Sequence, residues 1–568
     1  MVGGRRILLL VCLAAAVVPY FLNLGATSII DANEAFYAET PREMIESGNY
    51  ISPTFNYEPR LNKPPLSYWV VAAFYHAAGV SLGASRLPIA LGAVVIFAIA
   101  FLLGRQAFST RAGLLAALTL AATPRMLLFS RRIIIDVYTA MFLGLTLLCF
   151  LMAETAPGKR RRWLAAMYVS VGLGVLTKGP VAVAIPGLVF FVYLVATRQL
   201  RRLGRMMLPA GALIVGATVV PYYAALYAQE GWDAIASFLF RENLARYAEG
   251  VGAPDRGPLF YLPVVFADLY LPWSLLLPAA LALVPWGSVA RGPAATHDSP
   301  APAVLTERAR LLLGLWIAII VVFFSLSKGQ QDLYVLPFIA AAAALVGGLL
   351  DGWLAGAWGR RLDRVAAGSV AFAGGVFVLL GVAGAWLAGG PAGRLDLAGV
   401  VPAGAVLVSG GLAALAALVR RSRPVAVAAL AVSLIAAQWI VVLRTLPDFE
   451  RYQPVPHLAK AIEQQPARPS AVGTYKIAVP SLVFYLRRHV VEMFDEAQLE
   501  AFLAGHPGSV CAMPAEEYEA VRPRLPKTAR VIADAQRFDV RLSEFLSRNP
   551  LPRVVLVTAA APAMPADR

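Results

Sequence analysis

Apolar runs of bilayer length recur along the chain from residue 7 to residue 443, and no other feature constrains the fold as strongly. A membrane span needs about 20 mostly apolar residues. About thirteen stretches qualify: 7–24, 84–104, 111–129, 134–153, 163–177, 180–197, 206–228, 259–286, 311–327, 331–350, 366–389, 397–419 and 424–443. Lipid offers no partners to peptide groups, so each stretch must be a helix. The composition agrees, with 59% hydrophobic and 15% charged residues in 568, against roughly a quarter charged in a soluble domain. This excludes a purely soluble enzyme, a disordered chain and a fibrous one. Three cysteines, two of them inside apolar runs, exclude a disulfide framework. The expected fold is a polytopic α-helical membrane protein. No internal repeat is visible, which argues against an inverted-repeat transporter.

Positive charge sets the expected orientation. Arg5 and Arg6, Arg105 and Arg111, Lys159 to Arg162, Arg198 to Arg205, Arg291 to Arg310, Arg360 to Arg364 and Arg420 to Arg423 all fall in alternate loops. Cytoplasmic loops carry such excess, so the N-terminus is expected in the cytoplasm and the C-terminus outside. Because the basic runs sit at span ends, they read as topology and not as nucleic-acid binding. Arg5 and Arg6 resemble a signal-peptide start, but no convincing cleavage site follows before Asn23, so the first span reads as a retained anchor. The expected layout is a membrane domain over 1–443, with a first outer loop at 25–83, then an outer domain over 444–558 and a disordered tail over 559–568. In the outer domain β-rich runs (471–475, 490–494, 509–513, 530–533) alternate with helical ones (479–488, 497–503, 515–521), which suggests a small α/β domain. Residues 291–304 read as a flexible cytoplasmic loop.

The first outer loop is too polar to span and too patterned for a linker. Residues 34–47 have helical spacing and read as an amphipathic helix lying in the interface. A second such helix is expected to start at Pro64 or Pro65, with Tyr68, Trp69, Phe74 and Tyr75 as interfacial aromatics. Asp31, just past span 1, reads either as a solvated cap or as a catalytic acid. Asp136 lies a few residues inside span 4 on the same outer side, and ionisable groups within spans usually face a cavity. Asp31 and Asp136 with Lys63, Arg131 and Arg132 suggest a mixed-charge cleft suited to a phosphate-bearing lipid; the alternative is a structural ion-pair network. Lys178 in Thr177–Pro180 and Lys328 in Ser325–Tyr334 read either as part of that cleft or as snorkelling side chains. Residues 238–249, with Arg241, Glu242 and Arg246, form another amphipathic stretch.

These residues resemble a family. Asn33-Glu34, Tyr37-Ala38-Glu39, Arg42-Glu43-Met44, Ser47-Gly48, Lys63-Pro64-Pro65-Leu66 with Tyr68-Trp69, Asp136, Thr177-Lys178-Gly179-Pro180 and Lys328-Gly329 to Pro337 are similar to polyprenyl-phosphate-dependent glycosyltransferases of the GT-C superfamily. The resemblance is to bacterial lipid A aminoarabinose transferases and protein O-mannosyltransferase-like enzymes. Two positions depart from the family pattern. Asn33 stands where the family has Asp, so Asp31 or Glu34 takes that role. Asn62 stands where the aminoarabinose transferases carry a Glu associated with zinc.

The resemblance implies an inverting glycosyltransferase that moves a sugar from a polyprenyl-phosphate carrier to an envelope acceptor: a lipid A-like lipid, a glycan or a protein. It implies a bacterial inner membrane location, with the chemistry and the outer domain on the periplasmic face among membrane lipids. The expected catalytic residues are Asp31, Glu34, Lys63 and Asp136. The expected substrate-binding residues are Asn33, Tyr37, Asn62, Tyr68, Arg131, Arg132, Lys178, Arg246, Lys328 and Tyr334. No cofactor is required. Zinc is not expected because of Asn62 and because the five histidines (76, 297, 457, 489, 506) are scattered; a divalent metal is left open. A transporter or lipid flippase is the alternative, and a non-catalytic scaffold a third reading. The sugar and the acceptor are not legible.

Overall fold

The computed structural model describes residues 2–30, 32–287, 302–538, 542–547 and 549–559. Asp31, most of the 291–304 loop and the expected tail beyond Ala559 lie outside the described residues.

Each expected span has a helical counterpart. Among the described residues eight helices are long and apolar enough to cross a membrane, or nine if the pair Thr110–Ala121 and Pro124–Ser130, bent by 65°, counts as one. The others depart from the expectation for local reasons. Ile7–Tyr20 and Val181–Ala196 are apolar but short. Arg160–Lys178 begins with three arginines. The stretch 259–286 breaks into Tyr261–Ala267, Trp273–Leu276 and Leu277–Leu281, because Pro263, Pro272, Pro278 and Pro285 each remove a backbone donor.

The most enclosed span is Asp332–Ala355. Its run Ala340–Ala344 with Gly347 and Gly348 presents little side chain. A methyl at Gly347 would collide with Ala112 and Ala116 of the neighbouring helix. Small residues are what let membrane helices pack backbone to backbone, since lipid supplies no hydrophobic drive between them.

The helix Ala32–Ser47 differs from the expected interfacial helix. Glu34, Tyr37, Glu39, Arg42 and Glu43 are all buried. Its polar face meets protein and not headgroups: Glu39 takes two bonds from Arg42, at 2.8 and 2.7 Å, and Arg42 also donates to Glu46 at 2.6 Å. The C-terminal domain covers it. Ile29 N–H donates to Tyr485 Oη at 3.2 Å, Tyr57 Oη donates to the Arg487 carbonyl at 3.1 Å, and Asn56 exchanges two 2.8 Å bonds with the Val490 backbone. The second loop helix, Leu66–Ala78, follows Pro65 as the spacing predicts.

The C-terminal domain is a five-stranded mixed sheet. In chain order its strands are Val472–Tyr475, Val491–Met493, Val510–Pro514, Ala529–Gln536 and Arg553–Ala559, and their spatial order is second, first, third, fifth, fourth. The first three pair in parallel through the helices Ser481–Leu486 and Glu496–Gly505, and the last two join antiparallel. The expected α/β pattern is present, with one further strand, Arg553–Ala559, beyond the β-rich runs that the sequence predicts.

One rearrangement positions the site. The span 206–228 and the separate stretch 238–249 are one helical run, Leu208–Glu249. It is kinked at Gly231, whose φ is 76°. Residues Ser237–Ala245 then form a π-helix, a rare geometry that tends to occur at functional sites.

Candidate active site

The π-helical segment closes one wall of a cavity of about 440 Å³. The helix Ile135–Thr155 contributes Thr139 and Leu143, the helix Val181–Ala196 contributes Val181, Ala184 and Ile185, and Phe323 and Phe324 come from the end of another span. The polar end carries Lys63, Lys178, Glu242, Asn243, Arg246 and Ser327. A largely apolar cavity thus also carries a cluster of cations in its wall.

The charges at that end are organised in two groups. Lys178 forms an ion pair with Asp136, and its ammonium lies 4.6 Å from the Tyr334 ring centroid, within cation–π range. Arg246 holds Glu242 at 3.0 Å, and Lys63 lies 3.8 Å from the same carboxylate. Burial, then the nearby Arg246, pushes the Lys63 ammonium down to about 8. Local backbone chemistry fixes these cations. Gly179 has φ 92°, and a Cβ there would meet Phe238 at 2.8 Å, so the turn after Lys178 needs glycine. Gly329 N–H donates to the Arg246 carbonyl at 3.1 Å and Lys328 N–H to the Tyr247 carbonyl at 2.9 Å. A side chain at Gly329 would collide with the Arg246 carbonyl, so this glycine permits the pairing that anchors Arg246.

Of the expected residues, Lys63, Lys178, Arg246 and Tyr334 line the cavity, and Asp136 joins them through Lys178. Tyr37 and Tyr68 stack at 5.3 Å, both buried. Burial, then the neighbouring Tyr68, raises the Tyr37 phenol well above the usual range, and the charges of Asp136 and Arg246 also reach it. Asn62 precedes Lys63, and its buried Oδ1 has no hydrogen-bond partner.

Others are placed elsewhere. Glu34, expected as a catalytic acid, is fully buried and pairs with Arg86 at 2.7 Å. Arg86 also donates to the carbonyls of Leu24, Thr27 and Ser28, so this carboxylate is a structural anchor. Asn33 is exposed. Arg131 is buried on the carbonyls of Pro19 and Asn23 and does not line the cavity. Arg132 lines a second cavity of about 530 Å³, with Arg125 and Arg537, against the C-terminal domain. Lys328 is exposed and outside the cavity wall, although its neighbours Ser327 and Gly329 are in it. Asp31 lies outside the described residues. Sequence reasoning noted Glu242 but did not place it in the site; its signal was the i, i+4 spacing with Arg246 in an amphipathic stretch.

Among the described residues no three His, Cys, Asp or Glu side chains cluster as metal ligands would, and position 62 offers a neutral amide.

A family model described as dolichyl-phosphate-mannose-protein mannosyltransferase matches residues 62–224. The match begins at Asn62 and takes in Lys63, Asp136 and Lys178. Two relatives are named undecaprenyl phosphate-alpha-4-amino-4-deoxy-L-arabinose arabinosyl transferase. That of Pseudomonas aeruginosa (strain PAO1) is 30% identical over 335 residues, 58% of this chain and 57% of the relative. One from Pseudomonas fluorescens (strain Pf0-1) is 28% identical over 61% of this chain and 58% of the relative. The chain thus spans about three fifths of the length of the curated relatives it matches. The crystal structure of ArnT from Cupriavidus metallidurans bound to undecaprenyl phosphate superposes with a TM-score of 0.78 at 24% identity, covering 99% of this chain and 100% of that one. The chain shares the membrane fold of that ArnT structure. The fold match reaches well beyond the family-model match, across Glu242, Arg246, Tyr334 and the C-terminal sheet, so the whole cavity lies on the shared scaffold.

Proposed function

We propose that this protein is an inverting membrane glycosyltransferase that takes a sugar from a polyprenyl-phosphate carrier. The acceptor is an envelope molecule: a lipid A-like lipid, a glycan or a protein. The observation that carries this reading is the amphipathic cavity. Apolar walls from Leu143, Ile185, Leu239 and Phe324 suit a prenyl chain, and Lys63, Lys178 and Arg246 at the polar end suit its phosphate. The likeness to arabinosyl transferases and to the ArnT fold supports it.

In the step, an acceptor oxygen bonds to the anomeric carbon. The bond from that carbon to the phosphate oxygen breaks, and its electron pair leaves with the phosphate. Negative charge develops on the phosphate, and fixed cations in a water-poor pocket stabilise it. Arginine engages two phosphoryl oxygens at once, while lysine acts as a point charge. Lys178, held between Asp136 and Tyr334, adds field and orients the headgroup. The basic loops support a cytoplasmic N-terminus, which sets the first outer loop and the C-terminal sheet on the periplasmic face. The reaction needs no nucleotide in this reading, and the EDTA arm of the test below decides whether a divalent metal takes part.

The test is transfer of radiolabel from an undecaprenyl-phosphoryl sugar to envelope lipids and proteins by the purified protein, with and without EDTA. Lys63→Ala and Arg246→Ala are expected to lower transfer at least a hundredfold. Undiminished transfer in both variants rejects the cavity as the site.

A further inference from the structure

Among the described residues, Glu242 supplies the one carboxylate in the cavity wall. Asp136 is paired with Lys178 and Glu34 with Arg86, and neither lines the cavity. Glu242 is held differently. Arg246 and Lys63 both reach a single oxygen, Oε2, at 3.0 and 3.8 Å. The longer contact exceeds hydrogen-bond length, and Arg246 Nε is buried with no hydrogen-bond partner. Two cations with unused donors therefore share one anionic oxygen. A phosphate offers several oxygens to the same two groups and satisfies them better.

We propose that Glu242 is a placeholder for the carrier's phosphate and, once displaced, the base of the transfer. The phosphate takes the position of Oε2 between Lys63 and Arg246. The released carboxylate loses two stabilising cations and gains an anionic neighbour, both of which raise its proton affinity. It then accepts the acceptor's hydroxyl proton as the new bond to the anomeric carbon forms and the bond to the phosphate breaks. The inference rests on the carrier reading above and adds a residue and an order of events to it.

The signature is opposite effects on binding and turnover. In full-length protein reconstituted in nanodiscs, Glu242→Gln removes the competing charge, so undecaprenyl phosphate is expected to bind several-fold tighter. Transfer from an undecaprenyl-phosphoryl sugar to an envelope lipid extract is expected to fall by about 10²-fold or more, the scale of lost general-base catalysis. Glu242→Asp, a shorter arm with the same chemistry, is expected to bind tighter than wild type and recover part of the turnover, which separates the role from a folding defect. Weaker or unchanged carrier binding in Glu242→Gln, or wild-type turnover, overturns the inference. A wild-type protein that ignores undecaprenyl phosphate overturns the carrier reading itself, and this inference with it.

Discussion

Glu34 Oε1 and Arg86 Nε meet at 2.7 Å with side-chain exposures of 0% and 1%. The pair joins the first outer loop to the span Leu82–Ala107. Removing one partner of such a pair leaves a buried charge uncompensated and costs about 3–5 kcal/mol. Glu34→Ala is therefore expected to lower the melting temperature and yield sharply. Thermal unfolding in detergent checks it. A variant with wild-type melting and abolished transfer would instead make Glu34 a catalytic acid.

Lys178 and Asp136 compensate each other beside the phosphate end. Lys178→Met leaves Asp136 facing an incoming phosphate, and undecaprenyl phosphate binding is expected to weaken by about tenfold, about 1.4 kcal/mol. Adding Asp136→Asn to it removes the repulsion and is expected to recover part of that loss. A double variant no better than Lys178→Met refutes the coupling.

The depressed Lys63 ammonium gives a pH dependence. Its value of about 8 means the charge is lost as pH rises through 8. Carrier binding is expected to be flat near pH 7 and to weaken above 8. The unfolded chain keeps this proton to about 10.4, so between those values the group makes stability rise with pH. Lys63→Arg, always charged, is expected to flatten the binding profile. A profile that declines equally in that variant assigns the titration to another group.

Glu43 carries a second titration. It is buried and accepts from Thr54 Oγ1 at 2.6 Å and from Tyr57 N–H at 3.2 Å. Burial pushes its carboxyl up to about 7. A raised folded value means the stabilising contribution is present at low pH and is lost as pH rises through 7. Glu43→Gln is expected to be more stable than wild type at pH 8, by up to roughly 3 kcal/mol from about 1.36 kcal/mol per pH unit, with the gap closing toward pH 5. Equal melting temperatures at both pH values refute it.

The legible part of the site came from residues whose placement is odd in one dimension. Lys178 stands alone between apolar helices, Lys63 precedes two prolines, and Asp136 lies inside a span, so each drew attention without any fold. Glu34 misled because a conspicuous acid in a patterned loop looks the same whether it faces a cavity or a buried arginine. Its partner Arg86 sits 52 residues away. Arg131 misled likewise, since its carbonyl partners on Pro19 and Asn23 carry no side-chain signature. The stretch 238–249 reads as part of the cleft, yet the sequence singles out only Arg246 in it, because the kink at Gly231 and the π-helix that also turn Glu242 into the cavity depend on packing.

Hydropathy and charge are properties of consecutive residues, and membrane and water sort them directly. The amino-acid order alone therefore determined that the chain spans a bilayer many times, that it carries an α/β domain at its end and that its marked residues cluster on one side. Which acid neutralises which cation was decided by tertiary packing. Pairing over a few ångströms depends on how helices distant in the chain are brought together, and small shifts in that packing decide whether a carboxylate anchors a loop, as Glu34 does, or waits between two cations, as Glu242 does.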